Sequence, residues 1–191
     1  KGIDGFWNDL HEPAIFYSEK HLKEVFEKME DYKKMNLDVN TFFEMTGMIV
    51  SICNNPEDYA SFYHNYRGKR YRHDQVHNLF GYYMTRSALE AFERYVPEKR
   101  ILLFSRASYI GMHRFGGIWQ GDNASWWSHL KMNVKMMPSL NMCGFLYTGA
   151  DVGGFGADAT EDLVLRWLEF AVFTPLLRNH SARGTRRQEV Y

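Results

Sequence analysis

Two short apolar runs most constrain the fold of this chain. Ile101-Leu102-Leu103-Phe104 is apolar at every position, as in a strand buried on both faces. Phe145-Leu146-Tyr147-Thr148, after Gly144, is similar. Such strands belong to parallel sheets covered by helices. Helical periodicity surrounds them. From Phe16 to about Met35, Leu22, Val25, Phe26, Met29 and Tyr32 recur at helical spacing, with Ser18 placed to cap. Residues 78–95 repeat the pattern through Leu79, Tyr82, Tyr83, Leu89 and Phe92, with Pro97 beyond the end. Asp158 with Glu161 resembles a capping arrangement for a helix from about 159 to 173. Residues 1–9 read as a short strand ending in polar residues, and Phe173–Leu177 as a further strand. The alternation implies an α/β fold with a parallel sheet. Residues 37–76 are less regular: an apolar run of uncertain type from Thr41 to Cys53, a turn at Asn54-Asn55-Pro56, and a basic loop at Arg67-Gly68-Lys69-Arg70.

Composition excludes several classes of function. A length of 191 residues suffices for one sizeable domain. With 23 basic and 23 acidic residues the formal net charge is +0, so the phosphate-neutralising excess of a nucleic-acid binder is absent. No apolar run approaches the roughly 20 residues that span a bilayer, so no membrane partner is expected. Cys53 and Cys143 read as two reduced, buried thiols. The chain opens at Lys1-Gly2-Ile3 without Met and reads as an excised segment. Compartment and homo-oligomerisation stay open, with the cytoplasm favoured.

In a parallel α/β sheet, chemistry collects at the C-terminal strand ends. Asp9, Arg106, Asp151 and His180 each follow an apolar run. Three carboxylates, Asp9, Asp122 and Asp151, sit among Gly, Trp and small residues with few charges adjacent. One such Asp reads better as a loop cap. Three in one chain favour function.

Five segments then carry a resemblance. Gly5-Phe6-Trp7-Asn8-Asp9-Leu10-His11-Glu12-Pro13 is similar to the nucleophile motif of glycoside hydrolase family 31, and Trp119-Gln120-Gly121-Asp122-Asn123 to its acid/base motif. Thr148-Gly149-Ala150-Asp151-Val152-Gly153-Gly154-Phe155, the stretch from His73 to Gly81, and Leu177-Arg178-Asn179-His180 resemble further segments of that family. All five occur in the family's order and together span nearly the whole chain.

The resemblance implies a (β/α)8 TIM barrel, of which this chain covers roughly the central to C-terminal part. It implies one catalytic domain over 1–191, with an irregular inserted segment near 37–76. The partner would be the rest of the same polypeptide, namely the missing barrel strands and flanking β domains. The implied activity is a retaining α-glucosidase acting on terminal non-reducing glucose of short oligosaccharides, without cofactor or metal. Asp9 would be the nucleophile and Asp122 the acid/base. Arg106, Asp151 and His180 would bind sugar hydroxyls, while Trp7, Trp119 and Phe155 would line the pocket. Arg106 should favour the ionised form of Asp9, and burial against Trp119 should keep Asp122 protonated. Leu10-His11, Ala107 and Ile118 depart from the family's usual residues and bear on substrate preference. The alternatives are an α-xyloside or α-galactoside specificity, or a catalytically silent carbohydrate-binding homologue.

Three rival motifs are weaker. Gly154-Phe155-Gly156-Ala157-Asp158-Ala159 fits a dinucleotide fingerprint, but no acidic residue follows at the next strand end. His73 and His77 lie four apart without a third zinc ligand, so a cap or surface role is expected. Arg183-Gly184-Thr185-Arg186-Arg187 reads as a solvated loop rather than a phosphate site.

Overall fold

The computed structural model describes residues 2–188. In chain order, strand β1 (Gly5–Asn8) precedes helices α1 (Glu19–Tyr32), α2 (Val39–Val50) and α3 (Pro56–Ser61). A hairpin of β2 (Tyr63–Tyr66) and β3 (Lys69–Arg72) follows, then the single turn α4 (His73–Val76) and the long α5 (Leu79–Tyr95). The remainder is β4 (Leu102–Ser105), β5 (Gly117–Trp119), α6 (Trp127–Met142), β6 (Thr148–Gly149), β7 (Asp151–Val152), α7 (Glu161–Ala171) and β8 (Arg178–Asn179). The chain divides into two compact units. One comprises everything up to Asp9 together with everything from Gly81 onward; the other is Leu10–Phe80.

The first unit is a parallel sheet in the order β1-β4-β5-β6. Its register sets Trp7 beside Phe104, Ser105 beside Ile118 and Trp119 beside Gly149. A separate parallel pair joins β7 to β8, with Asp151 opposite Arg178. The parallel α/β expectation therefore holds, while the described strands form an open sheet rather than a closed barrel. Leu130 of α6, Val152 of β7 and Leu163, Trp167 and Ala171 of α7 make one apolar core. Met112, Ile118 and Phe145 make a second, flanked by Tyr82, Phe115 and Leu140.

Several local expectations are corrected here. Phe145–Tyr147 is not strand. Gly144, at φ 91°, and Phe145 close α6: their amides donate to Asn141 O (2.9 Å) and Leu140 O (3.0 Å), a Schellman cap. Helix α7 is capped by Thr160, whose Oγ1 accepts from Leu163 N at 3.3 Å, and not by Asp158. Phe173–Leu177 is a turn, because the Thr174 hydroxyl bonds the carbonyls of Ala171 and Leu176; the strand begins at Arg178. Cys143 is exposed rather than buried.

The second unit is built of regular elements where the sequence reads as irregular. Asp38 and Thr41 form a reciprocal capping box that starts α2. Asn55 caps α3 ahead of Pro56. Arg67 and Gly68, both at positive φ, make the tight turn of the β2–β3 hairpin. Ser18 caps α1 as expected. His21 Nδ1 pairs with Asp58 Oδ2 at 2.5 Å and its Nε2 meets Ser51 Oγ at 3.1 Å. The Ser51 hydroxyl itself donates to the Met48 carbonyl, so this trio braces three helices rather than arming a nucleophile. His73 is fully buried instead of capping or lying at the surface. It stacks on Phe16 (4.1 Å, 7°) and contacts His64 through ring nitrogens 2.9 Å apart.

Candidate active site

Every residue expected at the site lies in the first unit. β1 ends at Asn8, whose buried amide donates to Thr85 Oγ1 at 3.3 Å and whose carbonyl accepts from Arg106 N at 3.1 Å. The Arg106 bond extends the β1–β4 pairing by one residue, so Asp9 and Arg106 emerge from neighbouring strand ends. The Arg106 guanidinium, 14% exposed, reaches Asp9 Oδ1 at 3.1 Å and Asp122 Oδ2 at 3.4 Å through the same nitrogen, Nη1. One cation thus bridges the two carboxylates, which lie within two hydrogen-bond lengths of each other.

β5 delivers Trp119 and then Asp122. Gly121 is required between them: a Cβ there would enter the Trp119 indole ring. The chain folds over that indole and leaves Asp122 half-exposed, its side chain 45% accessible. The burial expected to keep Asp122 protonated is therefore not present among the described residues. The buried carboxylate is Asp151 instead, at 0% exposure.

Asp151 is held at its backbone and at one carboxylate oxygen. Its Oδ1 accepts from Trp119 Nε1 at 2.8 Å. The Asn123 side chain clamps its backbone, accepting from Asp151 N at 3.0 Å and donating to Asp151 O at 2.9 Å. Arg178 Nη1 stands 3.5 Å from Oδ1. Burial holds the Asp151 carboxyl above the usual carboxylate value, against the Trp119 hydrogen bond and the charges of Arg178 and His180; Asp122 adds to the upward push.

The aromatic residues complete the cluster. Trp7 meets Trp119 edge-on at 5.2 Å. The Arg178 guanidinium lies over both rings, 4.4 Å from the centroid of Trp7 and 5.0 Å from that of Trp119. Phe155 stacks on His180 at 5.1 Å and 27°, and its amide bonds the Asn123 carbonyl. The structure thus gathers Trp7, Asp9, Arg106, Trp119, Asp122 and Asp151 through direct contacts. Phe155 and His180 pair with each other and join through Asn123 and the charge on Asp151. Sequence reasoning did not single out Asn123 and Arg178, although both stand inside the motifs it used.

The rival motifs take structural roles. A Cβ on Gly154 would strike the Ser125 backbone, so that glycine serves close packing. Arg186 bonds Asp158 and the Ala159 carbonyl. Among the described residues no group of three or more His, Cys, Asp or Glu is arranged to hold a metal ion. No helix among them is long and apolar enough to cross a membrane.

Comparison with known proteins identifies the family. The glycosyl hydrolases family 31 TIM-barrel domain matches residues 1–191. The chain is 36% identical over 185 residues to neutral alpha-glucosidase AB of Dictyostelium discoideum, covering 96% of this chain and 16% of that protein. It is 31% identical over 188 residues to alpha-glucosidase 2 of Bacillus thermoamyloliquefaciens, covering 98% and 19%. Among solved structures, a Flavobacterium johnsoniae GH31 dextranase complexed with glucose aligns with TM-score 0.67 and 26% identity, over 96% of this chain and 19% of that one. The chain therefore spans under a fifth of the length of these relatives. A family match along its whole length, with carboxylates gathered at parallel strand ends, makes this chain a member of glycoside hydrolase family 31.

Proposed function

We propose that the protein containing this chain is a retaining α-glucosidase that removes terminal non-reducing α-linked glucose from short oligosaccharides. The chain would supply the central to C-terminal part of its (β/α)8 barrel. Asp9 attacks the anomeric carbon, forming a glycosyl-enzyme while the leaving oxygen takes a proton from Asp122. Asp122 then accepts a proton from the water that attacks the same carbon, and Asp9 is released. Arg106, Asp151 and His180 hydrogen-bond sugar hydroxyls, and Trp7, Trp119 and Phe155 offer apolar faces to the ring.

The observation that carries this reading is the shared Arg106 nitrogen. Retaining pairs sit about 5–5.5 Å apart and inverting pairs about 6.5–9.5 Å. Oxygens 3.1 and 3.4 Å from one nitrogen cannot lie further apart than the lower edge of the wider range, which supports the narrower spacing. The α-glucosidase names of the relatives support glucose as the sugar. In the full-length protein, Asp9→Ala should abolish turnover of an aryl α-glucoside, and the first product released by the unmodified enzyme should be the α-anomer by proton NMR. Substantial residual turnover would overturn the nucleophile, and a β-anomer would overturn retention. A panel of maltose, isomaltose and aryl α-xyloside and α-galactoside assigns the sugar and linkage.

A further inference from the structure

Asp151 is tied at one oxygen and unpaired at the other, buried one. Oδ1 takes the Trp119 hydrogen bond and faces Arg178, while Oδ2 is buried with no hydrogen-bond partner among the described residues. An unsatisfied buried acceptor is costly to a fold, and a ligand hydroxyl is the group that would relieve it. Arg178 Nη1 is buried too, close to Oδ1 but without hydrogen-bond geometry, so its pull on Asp151 is mainly one of charge. The guanidinium is pre-set for that task, because the faces of Trp7 and Trp119 hold it in place.

We propose that Arg178 is a positioning residue that keeps Asp151 ionised and turned so that Oδ2 can accept a sugar hydroxyl. The proposal rests on the reading of Asp151 as a sugar ligand. The titratable groups facing Asp151 are Arg178 of β8, His180 just beyond that strand, and Asp122 after β5. Arg178 and His180 favour the carboxylate, and Asp122 opposes it. With Arg178 neutralised, burial is left with less opposition and Asp151 holds its proton to higher pH. A protonated Asp151 carries no charge to strengthen its bond to the hydroxyl, so sugar affinity falls as pH falls.

Charge and shape can be separated. Lysine keeps the charge but not the flat guanidinium that lies on two indoles, whereas methionine keeps only the apolar stem. The test uses the full-length protein with Arg178→Lys, Arg178→Met and, should methionine fail to fold, Arg178→Gln. The acidic limb of kcat/KM for an aryl α-glucoside should move to higher pH in the neutral variants and return in Arg178→Lys. At mildly acidic pH the neutral variants should lose on the order of tenfold in kcat/KM, mostly through KM. In parallel, 13C NMR of carboxyl-labelled aspartate, assigned with Asp151→Asn, follows the Asp151 titration without any substrate. An acidic limb and a carboxyl titration both unmoved in the neutral variants would overturn the proposal, whatever their stability. Should the unmodified protein cleave no α-glycoside, the functional reading fails by itself, and the carboxyl titration still decides the role of Arg178.

Discussion

Acid should loosen the Leu10–Phe80 unit through one side chain, His73. The ring is fully buried. It stacks on Phe16 and is flanked by Tyr59 at 4.9 Å and Phe80 at 5.2 Å. Its Nδ1 meets His64 Nε2 at 2.9 Å. Burial first, then the charges of His64 and His77, push it down to about 4, while Asp74 pulls slightly the other way. In the unfolded chain it titrates at about 6.5. Between those values the unfolded state binds a proton that the folded state refuses. The stability is therefore complete above about pH 6.5 and is lost as pH falls towards 4, at about 1.4 kcal/mol per pH unit. Across the whole window the loss is about 3 kcal/mol. All 5 tryptophans lie outside Leu10–Phe80, so tryptophan fluorescence does not report on this unit. Amide hydrogen exchange in the full-length protein does, read on α1, β2, β3 and α4 and corrected for intrinsic rates. His73→Phe keeps the stacking and removes the titration, so its exchange protection should be flat over that window. Equal acid loss in His73→Phe, or none in the unmodified protein between pH 6.5 and 4.5, would refute the assignment.

Two further outcomes follow from packing. Trp167 of α7 is 1% exposed in the main core, and Trp167→Ala should cost about 3–5 kcal/mol, seen as a lower midpoint in guanidinium unfolding; a cost under 1 kcal/mol would contradict that burial. Gly121→Ala drives a methyl group into Trp119 and must displace Asp122, so kcat/KM on an aryl α-glucoside should fall on the order of 100-fold in the full-length protein. An unchanged rate would mean that the loop re-forms without moving the carboxylate.

The site was more legible in the sequence than the fold around it. Asp9, Asp122 and Asp151 stand in contiguous motifs at strand ends, where local residue types carry the information. What joins them does not run along the chain. The Trp119–Asp151 hydrogen bond and the Arg178 stack on Trp7 link residues far apart in sequence, so no spacing announces them. The burial expected of Asp122 belongs to Asp151, and no residue spacing announces which of two strand-end carboxylates faces water. β5 was missed because it is three residues long beside two glycines, and α6 because Pro138 interrupts its pattern. Helix α2 is apolar on most sides, which hides its period; its start signal was the Asp38–Thr41 box. Phe145 looked like strand because a helix-closing contact and a strand both favour a large apolar residue after glycine.

The pairing of β1 with β4 has a consequence for the order of assembly. Gly5 meets Leu102 across roughly a hundred residues, whereas Phe104 meets Gly117 across a short loop and Ile118 meets Thr148 across one helix. Closing the longer loop costs more entropy and comes later. The middle of the sheet and the Leu10–Phe80 unit can therefore form from nearby contacts, while β1 docks last. Asp9 travels with β1. When the whole chain refolds, Arg106, Asp122 and Asp151 are expected to gather before Asp9 arrives, so the carboxylate pair forms only once the long-range topology is complete.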